Sequence, residues 1–145
     1  MIKRAIAIIC VALLCISCKS SSGTQTKSFS KADVDTVWIL KAIKNKSIVL
    51  SSDFKPITIS FNSEAKSFNG FSGCNKYFGS YEEPEPCKIV LGDVMSTKMA
   101  GPQTIMELEK LFISTLRKVN AYKLSDKSLE LYQNESLALS FDKQE

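Results

Sequence analysis

The 145-residue chain contains no histidine. That absence excludes Ser-His-Asp triads, Cys-His dyads, metalloprotease helices and histidine-containing zinc sites in one step. There is no basic block either. Lys+Arg total 19 against Asp+Glu 15, and the positive residues are scattered, so the clustered footprint needed for nucleic acid is missing. The apolar run of residues 5–16 holds 12 residues, too few for a stable bilayer-spanning helix. The glycines form no catalytic loop. Gly70-Phe71-Ser72-Gly73 lacks the spacing of a nucleophile elbow and the flanks of a nucleic-acid clamp, and Gly73 to Gly79 lacks the Lys-Ser/Thr of a phosphate loop. Cys74 has no neighbouring base, and the carboxylates Glu82, Glu83 and Glu85 sit in a proline-stiffened loop that reads as solvated. No enzymatic activity, cofactor or metal is therefore expected. What remains, 44% hydrophobic and 23% charged, is the balance of one folded globular domain.

The first residues read as an address. Met1-Ile2-Lys3-Arg4 is a short positive region, residues 5–16 have the length of a secretory core, and a Ser-rich polar stretch follows. Cys15-Ile16-Ser17-Cys18 looks like a bacterial lipobox, with Cys15 where leucine is usual. On this reading residues 1–17 are removed, and Cys18 takes a diacylglycerol on sulfur and an acyl chain, such as palmitate, on its amine. Several chains together anchor firmly, since each buried methylene adds about 0.8 kcal/mol. An ordinary cleaved signal peptide is the alternative. Residues 18–33, rich in Ser, Thr and Lys, read as a flexible tether, and residues 34–145 as the domain. The expected location is the bacterial cell envelope, lipid-anchored at the outer membrane. Cys10 and Cys15 leave with the leader, so Cys74 and Cys87 form a candidate disulfide. It would close a short loop and stabilise by about 3 kcal/mol. One buried and one loose cysteine is the other reading.

Residues 37–40, 47–50 and 57–61 read as strands, as do 66–71, 76–81, 87–91 and 94–99. The period then changes. Ile105, Leu108, Phe112, Leu116 and Val119 form one helical stripe. Gly101 and Pro102 mark its start, with Glu107 and Glu109 in its N-terminal half and Arg117 and Lys118 in its last turn. Residues 121–125, 129–133 and 137–141 return to short strands. About nine strands and one helix predict an α+β fold: a curved antiparallel sheet with one amphipathic helix in its hollow. Trp38, Phe61, Phe68, Phe112 and Phe141 are the expected core.

The run Phe68-Asn69-Gly70-Phe71-Ser72-Gly73-Cys74-Asn75-Lys76-Tyr77-Phe78-Gly79-Ser80-Tyr81 resembles the signature of the META/HslJ family. So do Met95-Ser96-Thr97-Lys98-Met99-Ala100 and the Glu107/Glu109 helix that follows. The resemblance implies a small bacterial envelope domain, often a lipoprotein, folded as a cracked antiparallel barrel around one helix and similar to type III secretion pilot lipoproteins. Some members are associated with heat shock or novobiocin resistance, and no enzymatic activity is generally assigned. Members commonly carry a second cysteine after the Met-Ala pair, where this chain has Gly101. A bridge here would have to use Cys87 instead.

Gly70, Gly73 and Asn75 mark a bend; beside it, alternation sends Tyr77 and Tyr81 to one face and Phe78 to the other, one face core and the other, where exposed, the best candidate for an aromatic partner-binding patch. One reading makes these five residues, Gly70, Gly73, Asn75, Tyr77 and Tyr81, a binding site. The other makes the bend a corner that lets the sheet wrap the helix. The expected function is that of a non-enzymatic, membrane-anchored envelope domain acting through protein or lipid contacts, in envelope stress or drug tolerance. The alternatives are a small hydrophobic-ligand carrier and a secretion-pilot-like protein. The expected partners are the membrane, through lipidated Cys18, and an unidentified envelope protein. No nucleic acid is expected, and the protein should be monomeric.

Overall fold

The computed structural model describes residue 29 and residues 36–145. The expected leader, Cys18 and all of the expected tether except Phe29 lie outside the described residues. The described chain forms ten strands and one helix. The strands are β1 (Trp38–Ile43), β2 (Lys46–Ser47), β3 (Thr58–Asn62), β4 (Ser67–Phe71), β5 (Lys76–Glu82), β6 (Val90–Leu91) and β7 (Met95–Ser96). After α1 (Gln103–Leu116) come β8 (Ala121–Leu124), β9 (Ser128–Gln133) and β10 (Ser136–Lys143). Pairing is antiparallel in the order β6-β5-β4-β3-β1-β10-β9-β8, with β2 on β1 and β7 on β5. The sheet does not close into a barrel. Its two ends meet at a seam, where Lys88 bridges Ala121 and the Tyr122 amide donates to the Cys87 carbonyl at 3.0 Å.

The curvature has a local cause. Trp38, Leu40 and Ile43 are all buried although they are spaced by two and then three residues. A register shift between Leu40 and Ala42 against β10 absorbs the odd residue. A second shift between Leu137 and Leu139 puts both Ala138 and Leu139 inside. Such bulges bend a strand and raise its twist, which rolls the sheet toward its apolar face. The hollow is filled by α1. Phe112 and Leu116 are fully buried, and the Phe112 ring meets Tyr77 edge-on at 5.6 Å and Phe141 at 6.4 Å. Edge-to-face pairs of this kind add about 1 kcal/mol beyond area burial. The α+β architecture read from the sequence is the architecture found.

Of the expected strands 87–91 and 94–99 only Val90–Leu91 and Met95–Ser96 form, and four further details differ. First, α1 stops at Leu116, so Arg117 and Lys118 are not in its last turn. Arg117 caps the helix and donates to the Val94 carbonyl at 3.0 Å, while Val119 reaches the core from beyond the helix end. Pro102 is the residue before the first turn, not inside it. Second, residues 48–50 are not a strand; only Lys46–Ser47 pairs with β1, and Val49 points into solvent. Third, Phe29, inside the expected tether, is buried in the core. A single aromatic among Ser and Lys leaves no periodic trace. Fourth, Tyr77 and Tyr81 face inward while Phe78 is half-exposed. The alternation of β5 is as the sequence indicates, but the tyrosines take the core side.

That burial leaves a testable asymmetry. The Tyr77 hydroxyl donates to the Thr58 carbonyl at 2.7 Å, whereas the Tyr81 hydroxyl is buried with no hydrogen-bond partner among the described residues. A buried hydroxyl left unpaired costs about 1–3 kcal/mol. Tyr81→Phe should therefore be neutral or stabilising by about 1 kcal/mol, and Tyr77→Phe destabilising by about the same amount, in urea unfolding. Burial, then the nearby Glu83 charge, push the Tyr81 phenol up from 10.0 to about 12. A group raised in the folded state contributes fully below its unfolded value and loses that contribution as pH rises through the folded one. The alkaline decline between pH 10 and 12 should be shallower in Tyr81→Phe than in the wild type.

Candidate functional site

The motif residues converge on one carboxylate. Glu109 lies on the same helix face as Ile105 and Phe112, four residues after one and three before the other. It is half-buried at the bend after β4. Its Oε2 accepts from the Ser72 hydroxyl at 2.6 Å and from the Cys74 and Asn75 amides at 3.1 and 2.9 Å. Its Oε1 accepts from the Asn75 side-chain amide at 2.7 Å. The Ser72 oxygen also lies 2.9 Å from the Asn75 carbonyl. A hydroxyl has one proton, and the carboxylate is the stronger acceptor; the carbonyl already takes the Ser72 amide at 2.8 Å.

Asn75 is saturated. Its Oδ1 accepts from the Thr97 hydroxyl at 2.8 Å and the Met99 amide at 2.6 Å, and its Nδ2 also reaches the Met99 carbonyl at 3.3 Å. Both halves of the sequence signature and the helix are thus tied at one joint. Bend 72–75 supplies Ser72 and Asn75, segment 97–99 supplies Thr97 and Met99, and α1 supplies Glu109.

The glycines serve the same joint. Gly73 has φ +124°, a conformation that L side chains rarely adopt, and Ile105 packs within 3.0 Å of where a side chain would begin. Gly70 faces Tyr77 across β4 and β5. A Cβ there would stand 2.1 Å from the Thr58 carbonyl and 2.8 Å from the Tyr77 hydroxyl. The missing side chain lets the Tyr77 ring cross the strand and reach β3, covering the glycine with an aromatic.

Of the five candidate binding residues, Gly70, Gly73 and Asn75 therefore form a filled corner, and Tyr77 and Tyr81 are core. None of the five presents a free polar group to a ligand, apart from the enclosed Tyr81 hydroxyl. Ser72, Thr97 and Glu109 were not among them. The signal for Glu109 was available, since a carboxylate on an apolar helical stripe needs donors.

The candidate disulfide does not form: Cys74 and Cys87 are both free thiols. Cys74 precedes the start of β5, and Cys87 follows its end. Seven extended residues span about 20 Å, far beyond disulfide reach. Burial, reinforced by the Glu109 charge, pushes the Cys74 thiol up, away from the reactive thiolate. In the acidic loop Glu83 is engaged, accepting from Lys66 at 2.8 Å and from the Tyr122 hydroxyl.

Beside the joint an open cavity of about 620 Å³ lies between α1 and β7, lined by Ser96, Gly101, Gln103, Met106, Glu107, Glu109, Lys110 and Ile113. Met95, also on β7, pairs with Phe78 on β5, and both are about half-exposed. Met99 and Met106 are exposed as well. The profile of the META domain matches residues 31–145.

The chain belongs to the META domain family. No curated protein matches it. Among solved structures, the NMR structure of a protein from Burkholderia xenovorans is similar at 24% identity and a TM-score of 0.62, covering 99% of each chain. A second protein solved by NMR matches at 18% identity and a TM-score of 0.58, over 79% of this chain and 95% of that one. A crystal structure of a DUF4847 family protein from Bacteroides vulgatus ATCC 8482 matches at 16% identity and a TM-score of 0.48, over 79% and 96%. The first two likenesses are of fold. In META domain terms, the Gly-Cys-Asn and Ser-Thr-Lys-Met elements are the two sides of one helix-locking joint.

Proposed function

We propose that this META domain is a lipid-anchored envelope protein that works by contact and not by catalysis. One observation carries the reading. Ser72, Asn75 and Glu109 of the family signature are tied up in the joint, while Phe78, Met95, Met99 and Met106 stand exposed as large apolar side chains among the polar Asn69, Lys76, Ser80, Ser96 and Lys98. Flexible, polarizable methionines and a half-exposed aromatic suit a protein-binding face, because they repack against partners of varied shape and bury large apolar area. An interior carrier has less support, since Phe112 and Leu116 fill the space between α1 and the sheet. The lipobox Cys15-Ile16-Ser17-Cys18 supplies the anchor.

The test has two arms. Mass spectrometry of the envelope protein should find an acylated Cys18, and Cys18→Ser should move the chain out of the membrane fraction. A photo-cross-linker placed at Phe78 should give a discrete adduct with one envelope protein, weakened at least about tenfold by Met95→Glu. An unmodified amino terminus removes the anchor, and an adduct indifferent to Met95→Glu removes the binding face.

A further inference from the structure

Phe29 precedes the residues matched by the family, yet it is 7% exposed and sits between two rings. It stacks on Phe61 of β3 at 4.3 Å and on Tyr122 of β8 at 4.6 Å, and meets Tyr81 of β5 edge-on at 5.9 Å. β5 and β8 flank the seam where the open sheet meets itself. One upstream side chain thus joins both sides of the seam. Stacked or edge-on aromatic pairs add about 0.5–1.5 kcal/mol each beyond area burial, so three of them hold the Phe29 ring in place.

From this we infer that the seam between Phe61, Tyr81 and Tyr122 is the docking site for Phe29 of the chain's own upstream segment, so that the tether to the lipid surface is counted from Phe29 and not from Trp38. The shortened tether rests on the lipid-anchored reading; the docking does not. Chain length supplies the geometry. Eleven residues separate Cys18 from Phe29 and twenty separate it from Trp38. At about 3.5 Å per extended residue, docking cuts the maximum reach from about 70 Å to about 40 Å.

Trypsin reads the docking directly, because Lys19, Lys27 and Lys31 bracket the segment. In the acylated chain on phosphatidylethanolamine–phosphatidylglycerol vesicles, cleavage after Lys31 should be at least about tenfold slower than after Lys19, since a protease needs the docked backbone to open first. Phe29→Ser should bring the two rates together, and Phe29→Tyr should keep them apart. Phe29→Leu, which keeps an apolar side chain in the seam, serves if the serine variant does not fold, and should give an intermediate rate. Energy transfer from the lone Trp38 to a dansyl lipid should fall in Phe29→Ser as the tether lengthens. Equal cleavage at Lys19 and Lys31 in the wild type, or transfer indifferent to Phe29→Ser, overturns the inference. An unmodified Cys18 with Lys31 still protected refutes the anchor and keeps the docking. An acylated Cys18 with Lys31 unprotected does the reverse.

Discussion

Glu109→Ala should lower the unfolding free energy by about 3–4 kcal/mol, as read by urea denaturation of the Cys18→Ser chain. The figure follows from counting stranded donors. The Ser72 hydroxyl can turn to the Asn75 carbonyl 2.9 Å away and is rescued. The Cys74 amide, the Asn75 amide and the Asn75 side-chain amide cannot turn, and each loses a charged acceptor. A buried donor left unpaired costs about 1–3 kcal/mol, and water reaching this half-buried site recovers part of it. Glu109→Gln should cost about 2–3 kcal/mol despite its similar shape. Its oxygen can serve the backbone pair, but its own amide then faces the Asn75 amide, donor against donor. Flipping Asn75 would release Thr97 and Met99 instead.

The same joint sets an acid limit. Burial pushes the Glu109 carboxyl up, but hydrogen bonds from Ser72, the Asn75 side chain and the Cys74 and Asn75 amides outweigh it and hold the group below its ordinary 4.5. A carboxyl lowered by folding stabilises fully above its unfolded value, and that stabilisation fades as pH falls through the folded value. The stability gap between wild type and Glu109→Gln should therefore be constant above pH 5 and narrow below about 4.5. A gap that widens in acid would show that the carboxylate is strained in the joint and not held by it.

How far these residues could be read in advance depended on whether their signal was periodic. The stripe Ile105, Leu108, Phe112, Leu116 is legible because helical packing repeats itself along the chain. The alternation of β5 is legible for the same reason. Which of its faces is core is not, because Tyr77 and Tyr81 are amphipathic and Gly70, on another strand, decides where one ring goes. Phe29 is one residue without a pattern. Glu109 looks like one of two acidic residues in the first half of a helix until its donors arrive from residues 72–75. The spacing of Cys74 and Cys87 fixes a loop length but says nothing of the extended strand that separates them. The glycine-rich signature is legible as a bend. Its polar residues resembled a site because a buried joint and a binding site both need exact donors and acceptors, and only the presence of Thr97, Met99 and Glu109 around Asn75 tells them apart.

Gly101→Cys should create a reducible cross-link to Cys74. Across this contact a Cβ built at residue 101 lies 3.5 Å from the Cys74 Cβ, at the short end of the disulfide range of about 3.5–4.5 Å. Gly101 does not need a left-handed backbone, since Gly73 is the one described glycine with positive φ. What the missing side chain provides is room for the thiol: a Cβ at 101 would stand 2.4 Å from the Cys74 sulfur. Gly101→Ala must therefore displace that sulfur, at about 1–3 kcal/mol. A thiol at the same place can bond it instead, restoring the pair of cysteines that the META/HslJ resemblance leads one to expect. The bond closes a loop of 27 residues (101 − 74), for which chain entropy gives about 3.5 kcal/mol. Oxidised Gly101→Cys in the Cys18→Ser background should thus melt above the wild type, and adding dithiothreitol should drop it to the level of Gly101→Ala. Maleimide labelling of residues 18–145 of this variant, unfolded and unreduced, should count one thiol, Cys87 alone. Three labelled thiols before reduction, or an oxidised form that melts below the reduced one, would mean that Cys74 and residue 101 do not face each other across the joint.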